Sequence, residues 1–309
     1  MQIGWREFIK RRFRKPSKYH SVGIEYGVND VHICALRKVN GQLTWVKQYK
    51  CDADDWQDAL KAFVDEHKLQ NTRCVVALSI SKYQLLQVDK PAVPDAEINQ
   101  ALQWTVKEQL FSDGELAVDY FDLPAAPANS KKINVVAIGQ HEIIEIRNGV
   151  LQAGLQLESI GAQELAMCNL LPNSDEAAIM LHQNVGEQIC LSIVKNQLLY
   201  FSRRLRSYEN LANFSEQELQ MGVVDNLALE IQRSMDYFES QLRQAPIKKV
   251  YMSLDTPHQD VIAQLIKAIL FINIEPLVPD IALGDTVKLS PESYASLGTA
   301  MDDKIGLSV

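Results

Sequence analysis

Two glycine turns carry residue types that could hold a phosphate group. At such a turn the backbone N–H groups point at an anion, and a carboxylate beside it positions Mg²⁺ and water. The first turn has a carboxylate before its glycine, whereas the second has a neutral amide before its glycine and a carboxylate after it. Each glycine equally suits a tight turn between two strands without any ligand. The two turns contain Glu25, Gly27 and Val28 in the first half of the chain, and Asn184, Gly186 and Glu187 in the second.

Short β-rich segments surround both turns in the same order. Asn40-Gly41 is a strong hairpin signal, and Lys195-Asn196 is predicted at the matching place. A strand, a glycine turn and a β-meander that occur twice indicate a duplicated α/β unit. The predicted fold class is therefore α/β, an actin-like fold of two RNase H-like halves that face each other across a cleft. The predicted strands are 21–26, 31–39 and 43–50 in the first half, and 177–183, 188–194 and 198–206 in the second.

An insertion with its own pattern interrupts the first half at about residues 83–132. Asp95 is predicted as a helix N-cap, and apolar residues then recur every four residues over Ile98–Leu110. A strand is predicted over 117–123 and a loop over 125–132. This pattern predicts a separate small subdomain within the first half.

Apolar stripes at helical spacing predict the helices that cover the two sheets. The longest stripe, at 223–242, is interpreted as core. We divide the chain into an N-terminal segment (1–20), a first domain that includes the insertion (21–172) and a second domain (173–309). The further predicted helices are 54–67 and 258–271, and the further predicted strands are 73–80, 248–254 and 273–277.

The chain opens with a basic segment whose apolar residues fall at helical spacing over 3–14. Each Lys or Arg near an anionic leaflet adds about 1 kcal/mol of binding, and the aromatic side chains bury at the headgroup boundary. The segment could therefore be a peripheral membrane anchor, or equally a solvated basic tail. The candidate membrane contacts are Trp5, Phe8, Ile9, Arg11 and Arg12.

Composition excludes several classes of protein. The chain has no run of about 18 apolar residues and no secretion signal, so a cytoplasmic protein is expected. The 5 Cys and 6 His residues are scattered without metal-ligand spacing, which predicts no metal site. The net charge of −8 combines a basic N-terminal segment with a strongly acidic remainder, so nucleic acid is an unfavourable partner for the body.

Five sets of residues, taken in order, resemble the PilM family of type IV pilus assembly proteins, most closely its MSHA-pilus branch, MshI. The resemblance covers about residues 22–301. Each fragment is short, and their order carries the resemblance. They are GIEYG (23–27), ALQW (101–104) with DY (119–120), VVA (135–137) with AGL (153–155), EIQRSMDYF (230–238) and LGTAM (297–301).

The resemblance implies an FtsA-like subdomain inserted in an actin-like first half. It also implies a cytoplasmic protein, peripheral on the inner membrane, that joins other platform proteins of the pilus. Its main partner would be the short N-terminal tail of a bitopic membrane protein, PilN, bound in a groove beside the insertion. Gln103 and Lys107, on the exposed face of the inserted helix, are candidate partner contacts, or else ordinary solvated side chains.

The resemblance also implies that the nucleotide motifs are degenerate. The family has Asp-Ile-Gly and a hydroxyl residue at the first turn and Asp-x-Gly at the second, where this chain has Glu25 and Asn184. Asp255 stands where the family has the first glycine of an adenosine-side pair. The charge of Glu187 about 4 Å from a phosphate oxygen would cost on the order of 4 kcal/mol. We therefore expect no catalytic residue, and weak or no binding of ATP and Mg²⁺.

Other functions stay open at this point. An active actin-like ATPase that drives pilus assembly is one alternative, and a GspL-like component of a type II secretion platform is another. A small-metabolite kinase shares the superfold, but such an enzyme needs a carboxylate near the cleft as its catalytic base, and this chain has the amide of Asn184 there.

Overall fold

The computed structural model describes residues 17–110, 114–128 and 130–302. The α-helices of five or more residues are α1 (Trp56–His67), α2 (Ile98–Leu110), α3 (Gln140–Gln152), α4 (Gln163–Met167), α5 (Val224–Ser240), α6 (Gln259–Leu270) and α7 (Tyr294–Ala300). The strands are β1 (Ser21–Tyr26), β2 (Asp30–Val39), β3 (Gln42–Asp52), β4 (Arg73–Leu78), β5 (Gln84–Asp89), β6 (Leu116–Phe121), β7 (Lys132–Gly139), β8 (Gln156–Ala162), β9 (Ala178–His182), β10 (Ile189–Lys195), β11 (Leu198–Leu205), β12 (Lys249–Ser253), β13 (Asn273–Pro276) and β14 (Ala282–Leu283).

The two large sheets share one strand order, which confirms the predicted duplication. The order is β3-β2-β1-β4-β8 in the first half and β11-β10-β9-β12-β13 in the second. In both halves the first three strands form an antiparallel meander. The last two strands of each set run parallel to the first strand. Each glycine turn therefore follows the central strand of its sheet, where the chain enters the meander.

Helices cover the sheets through apolar faces, as the sequence pattern requires. On α1 the buried residues are Trp56, Leu60, Phe63 and Val64, a spacing that puts them on one face of a helix. Helix α5 buries a longer stripe in the core of the second half. A third cluster, which includes Trp45, Met180 and Leu297, joins residues of both halves. The halves therefore share buried surface beyond the edges of the cleft.

The insertion forms a three-stranded sheet in the order β5-β7-β6, with α2 packed on it. Its central strand, β7, runs to Gly139, so the inserted sheet extends past the predicted limit at residue 132. Asp95 starts a short 3₁₀ turn and does not cap α2 with its side chain, because the helix begins only at Ile98. The predicted strand at 117–123 is β6, one residue earlier at its start.

After β13 the chain returns to the first half, which differs from the predicted division at residue 173. Strand β14 pairs with β3, and α7 packs against β1 and β2. The approach is close, since a Cβ added to Gly23 would lie 2.1 Å from the carbonyl oxygen of Ser296. Glycine at this position of β1 therefore lets the last helix lie directly on the first sheet.

The two hairpins of the meanders show one register difference from prediction. Asn40 and Gly41 have positive φ, as predicted for a tight turn. In the second half the positive-φ residues are Asn196 and Gln197, one position later than predicted. A bulge between Ile193 and Val194 also shifts the register of β10 against β11.

Two of the sequence predictions concern membranes. Trp5, Phe8, Ile9, Arg11 and Arg12 lie outside the described residues. Within the described ranges, every helix is too short or too polar to cross a membrane.

Candidate functional site

The two glycine turns face each other in a cleft of about 510 Å³ between the halves. Asp255 reaches this region from the end of β12, where its carboxylate accepts a hydrogen bond from the Gly186 N–H at 3.4 Å. The turns contribute Glu25, Gly27, Val28, Asn184, Gly186 and Glu187 to the lining of the cleft. The structure thus brings together all the residues that the sequence assigned to a degenerate nucleotide cleft.

Glu187 spans the cleft from the second half to the first. Its Oε1 accepts hydrogen bonds from the Ser79 hydroxyl and, at 2.9 Å, from the Ser81 hydroxyl. Its Oε2 accepts a hydrogen bond from Asn184 Nδ2 at 3.1 Å. A carboxylate of the protein itself therefore takes the hydroxyl donors that an anion in this cleft would use. Sequence reasoning missed the two serines, which follow β4 without any motif.

Three backbone N–H groups of the two turns already have protein acceptors. The Gly27 N–H donates to the carbonyl of Asp30 at 3.0 Å, which closes the first turn. The Glu187 N–H donates to the carbonyl of Asn184 at 3.1 Å, which closes the second. With the Gly186 N–H directed at Asp255, these N–H groups are satisfied within the chain. A phosphate would have to displace these bonds before it could use the turns.

Asn184 connects the buried polar groups at the base of the cleft. Its Oδ1 accepts a hydrogen bond from His182 Nε2 at 3.0 Å, and its Nδ2 donates to Glu25 Oε1 at 2.8 Å. Burial raises the pKa of Glu25 to about 8 against the lowering effect of this hydrogen bond, with the Glu187 charge adding to the rise. Burial lowers the pKa of His182 to about 4. At neutral pH both groups are therefore neutral, and Asn184 acts as a hydrogen-bonding hub.

A buried ion pair ties the halves together beside the cleft. Arg204, on β11, bonds Glu164 on α4 at 3.2 Å and donates to the carbonyls of Ile80 and Tyr83 in the first half. Only 1% of the Glu164 side chain is exposed, so its charge depends on this partner. Burial raises the pKa of Glu164, and the Arg204 charge opposes that rise. Sequence reasoning missed this pair, because the two residues lie far apart in the chain and carry no motif.

A second concave surface, the tail groove, lies between the insertion and the first sheet. It is a largely apolar groove of about 650 Å³, bounded by β6 on one side and by β4 and β8 on the other. Both β6 and β8 are edge strands of their sheets. Gly161 of β8 lines the groove, and an added Cβ there would meet no atom within 4 Å. The acidic residues Asp119 and Asp302 also line it.

The predicted partner contacts lie apart from the tail groove. Gln103 is exposed and Lys107 is half-buried on α2, and neither belongs to the groove lining in the part of the chain that the structure describes. Between them Trp104 is 75% exposed. Exposing a large aromatic side chain to water is unfavourable, and in this position the ring does not contribute to the hydrophobic core. Sequence reasoning did not identify Trp104 as an exposed residue.

Within residues 17–110, 114–128 and 130–302, no group of three or more His, Cys, Asp or Glu residues could hold a metal ion.

Comparison with known proteins establishes the fold and no closer relationship. No protein-family model matches the chain, and no curated protein matches it. Among solved structures, the chain resembles one described as the PilM-PilN type IV pilus biogenesis complex, with a TM-score of 0.64 and 17% identity. That match covers 92% of this chain and 98% of the other.

Two further structures have the same architecture. The cytoplasmic domain of EpsL, an inner-membrane component of the type II secretion system of Vibrio cholerae, matches with a TM-score of 0.51 and 9% identity, over 92% of this chain and 95% of that one. A Bacteroides thetaiotaomicron protein with an actin-like ATPase fold and unknown function matches with a TM-score of 0.51 and 7% identity, over 91% and 96%. The predicted actin-like fold is thereby confirmed.

Proposed function

We propose that this chain is a cytoplasmic scaffold of the inner-membrane assembly platform of a type IV pilus. In this role it binds the N-terminal tail of a PilN-like bitopic membrane protein in the tail groove. The observation that carries the proposal is this apolar groove, open between two edge strands beside the inserted subdomain. The overall likeness to the PilM-PilN structure supports it.

The chemistry of the groove favours an extended peptide with apolar and basic residues. An edge strand offers unpaired main-chain groups to which a peptide adds as a further strand, and the groove wall then selects apolar side chains. Asp119 and Asp302 give the groove an acidic character. A tail that leaves a membrane through Lys or Arg residues would be attracted to this surface.

We propose that the cleft between the two halves has a structural role and holds the halves together. Glu187 bonds across it, and three N–H groups of the two turns donate to acceptors within the chain. These contacts support the proposal that catalysis is lost and that ATP and Mg²⁺ bind weakly or not at all. The cleft would then fix the relative position of the two halves while the tail groove performs the binding.

Two alternatives have specific support. An ATPase is favoured by Glu25, a carboxylate that still lines the cleft. A GspL-like secretion component is favoured by the fold shared with the EpsL cytoplasmic domain. The proposal that the chain belongs to an MSHA-type pilus system rests on the sequence fragments given above. The proposal of peripheral membrane contact rests on the composition of residues 1–16.

Paired titrations test the proposal. A synthetic peptide with the N-terminal cytoplasmic sequence of the same organism's PilN protein should bind the full chain and lose binding in Gly161→Leu, which fills the groove. Ala268→Leu, on an exposed helical position of the second half, is the matched control. Micromolar affinity for ATP with Mg²⁺, together with no peptide binding, would overturn the proposal in favour of the ATPase.

A further inference from the structure

The chain enters the described fold beside one end of the tail groove. The Ser17 hydroxyl lies 2.6 Å from the Thr72 hydroxyl, directly before β4 begins at Arg73. Arg73 in turn donates a hydrogen bond to the carbonyl of Asp302, which lines the groove. Residues 1–16 therefore join the body at Ser17, which contacts Thr72. The residue after Thr72 is Arg73, which contacts a residue of the groove lining.

The preceding segment is long enough to cover this surface. From Thr72 to Val75, where β4 starts to line the groove, is about 10 Å at the rise of a strand. Sixteen extended residues reach up to about 50 Å, and the same residues as a helix reach about 24 Å. Either conformation spans the distance.

The composition of the segment complements the groove. Trp5, Phe8, Ile9 and Phe13 are apolar, and the residues between and after them are mainly Lys and Arg. The groove presents apolar side chains from β4, β6 and β8 together with two acidic residues. This is the same combination of apolar and basic groups that the proposed partner tail would need.

We infer that residues 1–16 occupy the tail groove when no partner is bound, and that the partner tail must displace them. Competition with a partner tail rests on the proposed function. The contact between residues 1–16 and the groove is argued separately, from the position, length and composition of the segment. A tethered segment acts at an effective concentration of about 1 mM. If its own dissociation constant is about 0.1 mM, it weakens the apparent affinity of the partner roughly tenfold.

A photo-crosslinking experiment tests the contact without any partner. The full chain is made with p-benzoylphenylalanine in place of Phe8, irradiated at high dilution, and the intramolecular crosslinks are mapped by mass spectrometry. The inference predicts crosslinks to residues 117–121 or 159–162. Crosslinks elsewhere on the body, crosslinks only between copies, or none within the chain would overturn it.

A competition experiment tests the regulation. The full chain and its W5S/F8S/F13S variant are titrated with the synthetic PilN tail peptide, with Glu7→Gln as the control for an altered N-terminus. The variant should bind about tenfold more tightly and the control should be unchanged. Equal peptide affinity in all three chains overturns the inference and leaves the proposed function standing. Crosslinks in the groove without peptide binding in any chain establish the self-contact and overturn the proposed function.

Discussion

Glu25 offers a prediction that separates a structural cleft from a catalytic one. The side chain is buried, one carboxylate oxygen accepts from Asn184, and the other has no partner within the described chain. A carboxylate that positions Mg²⁺ must be ionised at neutral pH. Burial instead raises the pKa of Glu25 from 4.5 to about 8, so the folded chain keeps this proton.

The sign of the pH dependence follows from this shift. Between pH 4.5 and about 8 the folded state binds a proton on Glu25 that the unfolded state has lost. The contribution of Glu25 to stability is therefore fully present below pH 4.5, and it is lost as the pH rises toward 8. A shift of this size corresponds to at most about 5 kcal/mol in the free energy of unfolding.

The assay is urea unfolding of wild type and Glu25→Gln at a series of pH values from 5 to 9. The glutamine keeps the acceptor for Asn184 and cannot ionise, so the variant should gain stability relative to wild type as the pH rises. The control is Glu176→Gln, whose carboxylate is 82% exposed in wild type and should show no such trend. A constant difference between Glu25→Gln and wild type across this range would refute the reasoning and place an ionised carboxylate in the cleft.

Four further substitutions probe the other contacts. Glu187→Ala removes a carboxylate that accepts hydrogen bonds from both halves, and should lower the free energy of unfolding by about 1–3 kcal/mol in urea titration. Arg204→Ala leaves a buried carboxylate without its cation, and should cost about 3–5 kcal/mol in the same assay. Gly161→Leu should abolish peptide binding in calorimetry while the melting temperature stays near that of wild type, because the added side chain enters open space. Trp104→Ser should leave stability unchanged and weaken recovery of platform proteins in pull-down, and unchanged recovery would assign no partner to that helix face.

The sequence predicted the two meanders well because their signals are local. Strand and hairpin patterns repeat within short windows, and the two Gly turns mark equivalent positions in both halves. The strands β5, β7, β8 and β14 and the helices α3, α4 and α7 were not predicted as elements. Their patterns are short or weakly amphipathic, and α7 is buried along its whole length, which removes the helical alternation of apolar and polar residues.

Most of the site residues that the sequence predicted lie at the two glycine turns. Glu25, Asn184 and Glu187 stand beside glycines, so their meeting followed from the duplicated fold. Ser79, Arg204 and the tail groove depend on how the two halves and the insertion pack, and such packing has no local signature. The groove in particular is formed by the edges of two sheets, β6 and β8, and neither segment of the sequence marks itself as the wall of a groove.

Hydrogen exchange on the full chain, with and without the PilN tail peptide, tests the central claim most directly. The account predicts slower exchange over 116–121 and 156–162, the two edge strands of the tail groove, and unchanged exchange at the two glycine turns. Slower exchange at 25–28 and 184–187 upon addition of ATP and Mg²⁺, with no effect of the peptide on either edge strand, would contradict it.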